Sequence, residues 1–181
     1  MTEELEVLTI VAERLESARI AYMVTGSMAM NYYAVPRMTR DIDIVIEVSS
    51  DDADRLTGVF RDEFYLEPET VSEAIRDRTT FNVIHTASVV KVDFIVRRGS
   101  EYRREEFQRR RRVTVGDTAI VIVAPEDLII SKLDWARDSR SEVQLRDVQN
   151  LLAAVPDLDR EYLARWLGHL GLAALYREVA G

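Results

Sequence analysis

The segment GSMAMNYYAVPRMTRDIDIVIE, residues 26–47, ends in an apolar run that begins with two aspartates, Asp41 and Asp43. In a strand, alternate side chains share a face, so both carboxylates lie on one side, about 7 Å apart along the chain. Two like charges so close favour a cation between them, and Mg²⁺ suits a few carboxylates with waters and phosphates. Two alternatives remain: solvation at the start of the strand, or pairing with Arg37 and Arg40.

Composition limits the classes of protein. The chain has 181 residues, 47% of them hydrophobic, and no cysteine, which is enough for one domain with a proper core and excludes disulfides and thiolate metal sites. We expect no signal segment, no membrane association and a cytoplasmic location. With 24 basic against 32 acidic residues, the net charge of −8 argues against nucleic-acid binding through bulk charge.

The pattern along the chain predicts an α/β (α+β) fold, a mixed sheet flanked by helices. An amphipathic helix over 2–19 precedes the strand AYMVT and a helix beginning SMAMN that ends before Pro36. A helix capped by Ser50 or Asp51 follows the strand DIDIVIEV. The later patterns predict a helix near 71–77, strands FNVIHT and VVKVDFIVR, a helix over 100–110, a hairpin turning at 116–117, and helices near 126–138, 142–155 and 159–179. Residues 1–124 then form the core, and residues 125–181 form a C-terminal helical segment packed on it.

A third aspartate, Asp93, interrupts the apolar run VVKVDFIV. An unpaired charge on a central strand costs several kcal/mol, so Asp93 needs a partner. If this strand pairs beside the one that carries Asp41 and Asp43, three carboxylates meet at one edge of the sheet, as in sites that hold metal ions for displacement at phosphorus. Lys91 would share their face and neutralise either the carboxylates or a phosphate.

Gly26 and Ser27 end one strand and begin a helix. Free amides and the helix dipole at such a turn bind phosphate oxygens, and glycine lets the backbone approach closely. Alone, Gly-Ser is a weak signal. Followed by a helix and a strand that starts Asp-Ile-Asp, it is much stronger.

These segments together resemble the nucleotidyltransferase superfamily, the polymerase-β-like fold, in which Gly-Ser is followed by Asp-x-Asp and later by an aspartate on another strand. The form R-x-T-R-D-I-D, residues 37–43, and the segment APEDLIISKLDWARDSRSEVQLRDVQNLL, residues 124–152, are similar to bacterial AbiEii-like proteins and their relatives. The resemblance covers roughly residues 5–155.

The resemblance implies a role for each matching residue. Gly26 and Ser27 would hold a triphosphate, with Arg40 and Lys91 beside it, and Asp41, Asp43 and Asp93 would bind Mg²⁺ or Mn²⁺. Lys132 and Asp147 match positions near the nucleotide. Relatives tend to have Lys-Asp and a further acid where this chain has Arg146, Asp147 and Gln149, so the role of Asp147 stays open.

Lysine usage adds weight to Lys132, because only two of the 24 basic residues are lysines. Leu128, Lys132 and Ala136 recur at helical spacing and place this lysine on an apolar stripe. The alternative is a lysine that extends to solvent from the rim of the stripe.

Six arginines lie within residues 103–112, which gives a second basic feature in EYRREEFQRRRR. One interpretation is a surface for RNA or nucleotide phosphates, and the more ordinary one is a solvated helix and edge strand with i,i+4 pairs to glutamates. We expect Trp135, Trp166 and Tyr162 to pack between terminal helices, and His85 and His169 to have no catalytic role.

Three functions agree with these patterns. The first is a metal-dependent enzyme that transfers a nucleotide from a nucleoside triphosphate to a hydroxyl of RNA, protein or a small molecule. The second is the toxin of a toxin-antitoxin pair, which uses the same chemistry and is restrained by an antitoxin protein. The third is a non-catalytic nucleotide-binding module, which the presence of all three aspartates disfavours.

Overall fold

The computed structural model describes residues 2–181 as one mixed sheet with helices on both faces. The chain runs in the following order: α1 Glu3–Ser17, β1 Ala21–Thr25, α2 Gly26–Tyr33, β2 Asp41–Glu47, α3 Ala53–Phe60, β3 Phe64–Tyr65, α4 Pro68–Asp77, β4 Thr80–His85, β5 Lys91–Val96, α5 Glu101–Gln108, β6 Arg111–Val115, β7 Thr118–Ile122, α6 Pro125–Ser139, α7 Glu142–Ala154, α8 Arg160–His169 and α9 Ala173–Ala180. The α/β prediction is confirmed.

The seven strands are ordered β3-β4-β5-β2-β1-β7-β6. Strand β2 lies parallel to β5 and β1 lies parallel to β7, whereas the other neighbouring strands are antiparallel. The central strands therefore come from distant parts of the chain, and β2 brings Asp41 and Asp43 beside the strand that carries Asp93.

Each face of the sheet has its own hydrophobic core. On one face, α1, α3 and α4 pack on the alternate residues Ile42, Ile44 and Ile46 of β2, which are fully buried. On the other face, α2, α5 and α6 to α9 form a second core around Met23, Leu128 and Trp166. The aspartates of β2 point to this second face, because side chains alternate along the strand.

Two local predictions were wrong. The segment 159–179 is two helices, because Gly171 adopts a left-handed conformation with φ +69° and ends α8, and the Leu172 amide donates to the Leu167 carbonyl. A 3₁₀ turn, Ser50–Asp52, precedes α3, and its capping box is formed by Ser49 and Asp52, one residue outside the expected positions.

Candidate active site

Gly26 is held against Asp43 where β1 passes directly into α2. Its φ is +60°, and a Cβ atom at this position would lie 2.0 Å from Oδ2 of Asp43. Only glycine fits, because both the conformation and the contact exclude a side chain. The free amides at the start of α2, where Ser27 lies, face the same region and are suited to bind an anion.

The carboxylates of Asp43 and Asp93 are neighbours across the parallel pair β2–β5, in direct register. Asp41 is two residues earlier on the same face and is 60% exposed. Burial, followed by repulsion from Asp93 and Asp41, raises the pKa of Asp43. The fold thus holds Asp43 where its charged form is disfavoured unless a cation is close.

Lys91 supplies positive charge to the other two aspartates. Its Nζ atom lies 2.8 Å from Oδ2 of Asp93 and 3.7 Å from Oδ1 of Asp41. The hydrogen bond to Asp93 is the main cause that raises the pKa of Lys91. Within residues 2–181 Asp43 forms no ion pair. Of the three aspartates, it is therefore the one without a cation bound to its carboxylate.

The carboxylates suit a divalent metal in kind, because Mg²⁺ and Mn²⁺ prefer oxygen ligands. Asp43, which is packed against Gly26 and has no cationic partner in the described part of the chain, fits such a ligand best. No group of three or more acidic or histidine side chains within residues 2–181 is arranged to hold a metal ion. The three aspartates therefore share one face of β2 and β5 without forming a closed metal site, and Lys91 lies beside two of them.

A buried ion pair, Lys132 with Asp147, joins α6 to α7 above these strands. Nζ of Lys132 donates to Oδ2 of Asp147 at 2.7 Å and to Oε1 of Gln144 at 3.1 Å. Burial lowers the pKa of Lys132, and the bond to Asp147 opposes that effect. Lys132 is 4% exposed, so it is a buried ammonium rather than a lysine at the rim of the helix.

Arg37 connects this pair to the start of α2, a role that sequence reasoning missed. Its Nη2 atom donates to Oγ of Ser27 at 2.8 Å and lies 3.2 Å from Oδ2 of Asp147. Reciprocal bonds between Asn31 and the Arg37 backbone fix the loop. Arg37 therefore does not pair with Asp41 or Asp43, and Arg40, the other candidate partner, is exposed.

A cavity of about 470 Å³ lies between this face of the sheet and α6. Of the predicted site residues, Gly26, Ser27, Asp43 and Lys132 line it, whereas Asp41, Asp93, Lys91, Asp147 and Arg40 lie outside its lining. At its far side, which we call the arginine end, the lining contains Arg78, Arg97, Arg98 and Arg103.

Trp135 also lines the cavity and is 76% exposed, which corrects the prediction that it packs between terminal helices. It lies on α6, three residues after Lys132 and on the same side of the helix, so its side chain reaches the cavity wall instead of the terminal helices. Trp166 and Tyr162 are buried in the second core as predicted.

The arginines of 103–112 mainly join elements. Arg103 binds Glu106 and Asp134, Arg109 binds Glu126 and Asp127 of α6, and Arg112 binds Glu16 of α1. The expected i,i+4 pairs with glutamates are therefore replaced by an i,i+3 pair and by ties to other helices.

A glycine-serine turn at a helix start, beside carboxylates on two parallel strands of a mixed sheet, defines a nucleotidyltransferase-like fold. Over residues 4–165 the sequence matches the family DUF2204, described as nucleotidyl transferase of unknown function, and the chain belongs to that family. The predicted AbiEii-like affiliation stays a prediction.

Solved structures share the fold at low identity. An antigenic nucleotidyltransferase-like protein from Paracoccidioides brasiliensis is 18% identical with TM-score 0.59, over 86% of this chain and 77% of that one. The lincosamide antibiotic adenylyltransferase LnuA, with lincomycin bound, is 12% identical with TM-score 0.56, over 86% and 99%. ANT(2")-Ia in complex with adenylyl-2"-tobramycin is 12% identical with TM-score 0.60, over 100% of both chains.

No curated protein shows significant sequence similarity to the chain. Within residues 2–181, none of the helices combines the length and apolar character needed to cross a bilayer.

Proposed function

We propose that the protein transfers a nucleoside monophosphate from a nucleoside triphosphate to an acceptor hydroxyl in a metal-dependent reaction. The acceptor oxygen bonds to the α-phosphorus, the bond from that phosphorus to the bridging oxygen breaks, and pyrophosphate leaves with the electron pair. The hydroxyl proton passes to a carboxylate or to water. The direct register of Asp43 with Asp93 beside the Gly26–Ser27 turn is the observation that carries this proposal.

Asp43 and Asp93, with Asp41, would hold Mg²⁺ or Mn²⁺, which when bound neutralises phosphate charge and polarises the reacting phosphorus. Because the side chain of Lys91 is 41% exposed, it has room to leave Asp93 and contact a phosphate. The raised pKa of Asp43 supports this role, since a cation would remove the repulsion that causes part of the shift.

The amides at Gly26 and Ser27 bind the triphosphate in this proposal, and Lys132, Arg37 and Arg40 supply positive charge around it. Lys132 and Arg37 both contact Oδ2 of Asp147, so two cations share one carboxylate oxygen and a net positive charge remains for an anion. Asp147 positions both cations. The nucleotide then binds between the core, residues 1–124, and the C-terminal helical segment, residues 125–181.

The test is incubation of the protein with Mg²⁺, each labelled nucleoside triphosphate, and total RNA or a panel of small hydroxyl compounds. We expect labelled product and pyrophosphate that disappear with a chelator and drop at least about 100-fold in Asp43→Asn. The matched control is Asp62→Asn, an exposed aspartate outside the cavity lining. Equal magnesium affinity and equal turnover in Asp43→Asn and the parent would contradict the proposal and favour a non-catalytic module.

The segment R-x-T-R-D-I-D, residues 37–43, supports a narrower version in which the protein is a cytoplasmic toxin that modifies RNA and is restrained by an antitoxin. Expression in a bacterial host should then arrest growth, and Asp43→Asn should abolish the arrest while the protein still accumulates. Growth arrest of equal strength by both proteins would contradict the toxin proposal without affecting the transferase chemistry.

A further inference from the structure

The arginine end of the cavity is the second charged feature of this site, and the proposed function leaves it without a role. Arg78 ends α4, and Arg97 and Arg98 directly follow β5, so one edge of the cavity is built from two neighbouring elements. In a chain with net charge −8, this group of cations makes the edge of the cavity locally basic.

Two of the four arginines are already neutralised. Arg97 pairs with Glu47, and Arg103 pairs with the buried Glu106 and with Asp134. Arg78 donates to the Arg97 carbonyl at 2.8 Å, and neither Arg78 nor Arg98 forms an ion pair with a carboxylate of residues 2–181. Both side chains are exposed and line the cavity, so both can bind an anion.

The arginine end lies across the aspartates from the triphosphate side. Gly26 follows Thr25, the register partner of Asp43, whereas Arg97 comes four residues after Asp93, about 13 Å further along the sheet. In the proposed reaction, pyrophosphate leaves toward Gly26–Ser27, and an in-line displacement requires the acceptor to approach from the opposite side. That side is the arginine end.

The chemistry of this end favours phosphate. Guanidinium groups form forked hydrogen bonds, and a tetrahedral dianion can accept from two of them in different directions. Thr79 and Thr80, whose side chains are exposed, line the same end and add hydroxyl donors. Trp135, 76% exposed on the cavity wall, offers a flat apolar face for a sugar or base.

We propose that the acceptor carries a phosphate group that Arg78 and Arg98 bind, with a ring of the acceptor against Trp135. This inference rests on the proposed function, because the direction of transfer decides which substrate occupies the arginine end. The phosphate belongs either to a small phosphorylated metabolite or to the 5′ end of a nucleic-acid strand, and both are phosphate monoesters that make the same contact.

Calorimetry on the full chain tests the proposal with two matched pairs of probes: ribose 5-phosphate against ribose, and 5′-phosphorylated UpU against UpU. We expect the phosphorylated member of at least one pair to bind at least about tenfold tighter. A preference only for ribose 5-phosphate assigns a small metabolite, and a preference only for phosphorylated UpU assigns a strand. Equal affinities within both pairs would overturn the proposal.

Variants then locate the contact. Arg98→Gln and Arg78→Asn, in which asparagine tolerates the left-handed backbone of residue 78 (φ +52°), should each remove most of the phosphate preference. The matched control, Arg61→Gln, changes the same charge at an exposed arginine outside the cavity lining and should preserve it. If all three variants lose the phosphate preference equally, or if none of them loses it, Arg78 and Arg98 do not bind the phosphate.

The affinity for a non-hydrolysable ATP analogue with Mg²⁺ is measured in the same proteins. Normal analogue binding without a phosphate preference contradicts only the acceptor proposal. Absence of analogue binding in the parent protein, with the phosphate preference intact, contradicts the proposed function and leaves the anion site in place.

Discussion

At the scale of single residues, the site depends on one position without a side chain. Gly26 has a positive φ and lies against Oδ2 of Asp43, so it sets the distance between the start of α2 and the carboxylates. The sequence indicated a phosphate-binding turn at this glycine. It did not indicate the contact with Asp43, which exists only once β1 and β2 have paired.

We predict that Gly26→Ala lowers the free energy of unfolding by about 2–4 kcal/mol, because it combines the left-handed penalty with a steric clash. The matched control is Gly58→Ala in α3, where an added Cβ meets nothing within 4 Å and should stabilise the helix by about 0.5–1 kcal/mol. Urea unfolding of both variants provides the measurement. Equal stability changes would show that Gly26 is not constrained.

Lys132 is the second residue-scale prediction. We expect Lys132→Ala to reduce nucleotide transfer by at least about 100-fold, since its ammonium offsets charge on the transferring phosphates. Lys132→Arg should not restore full activity, because a planar, longer guanidinium does not fit a buried site made for a compact charge. Full activity in the Lys132→Arg variant would show that transfer does not depend on the compact ammonium of Lys132, and that this residue has only a structural role.

Folding effects need a separate control here. Removing the lysine leaves the buried carboxylate of Asp147 without its nearest cation, and breaking such pairs typically costs about 3–5 kcal/mol. The double variant Lys132→Met with Asp147→Asn removes both charges and should recover melting temperature while remaining inactive. Recovery of activity together with stability would contradict the role of Lys132 in transfer.

The sequence predicted more about residues on strands and helices than about residues on loops. Asp93 was expected beside Asp43 because a charge in the middle of an apolar strand needs a partner, and alternation places both carboxylates on the same face. The register of β2 and β5 confirms that the two residues are neighbours. Arg37 was missed because its partner Asp147 is 110 residues away in sequence, and because its contact with Ser27 depends on how the loop after α2 folds back. Local patterns carry no signal for such a contact.

At the scale of elements, α5, α6 and α8 are joined by a buried polar network. Asp127 of α6 accepts a hydrogen bond from the Tyr162 hydroxyl at 2.6 Å and one from Nε of Arg109 at 3.2 Å. Burial is the main cause that raises the pKa of Asp127 to about 6, from an ordinary value of 3.8. The network therefore changes charge within an accessible pH range.

We predict that this carboxyl makes the protein less stable as the pH rises from about 4 to 6. The folded state keeps the proton that the unfolded state has already lost, so the contribution to the free energy of unfolding falls by up to about 3 kcal/mol across that range. Asp127→Asn cannot ionise and should lack this slope. Urea unfolding of both proteins at several pH values measures the difference, and parallel curves would contradict the assignment.

Helix boundaries were predicted less well than helix positions. The region 159–179 has continuous apolar periodicity, so one helix was expected, and a single left-handed residue, Gly171, divides it into α8 and α9. Glycine can lie inside a helix or end one, and the local sequence does not say which. The packing of α9 against α7 decides that the helix ends at Gly171. Six of the seven strands were placed almost to the residue, whereas the two-residue strand β3, Phe64–Tyr65, was not predicted, because two residues are too few to show an alternation.

At the scale of the whole molecule, the site lies between the sheet and the helices of its second face. A ligand that contacts both layers binds the folded state alone. At a concentration of 100 times the dissociation constant, such a ligand adds about 2.7 kcal/mol of stability, which raises the melting temperature of a chain of this size by roughly 5–10 °C.

We therefore predict that a nucleoside triphosphate with Mg²⁺ raises the melting temperature by this amount, measured by calorimetry. A chelator, or the variant Asp43→Asn, should remove most of the increase. Without ligand, Asp43→Asn should melt slightly above the parent, because the repulsion that raises the pKa of Asp43 is relieved. An equal ligand-induced shift with and without chelator would contradict metal-dependent nucleotide binding.

The position of β1 inside the sheet has a consequence for how the chain acquires its structure during synthesis. One edge of β1 can pair with β2 soon after these two strands leave the ribosome. The other edge of β1 stays unpaired until β7 is made, when Ile122 aligns with Val24. Until then an apolar strand edge stays open, and pairings between distant segments form slowly. Ribosome-bound chains truncated before β7 should therefore be readily cleaved by protease, and resistance should appear only after β7 has left the exit tunnel.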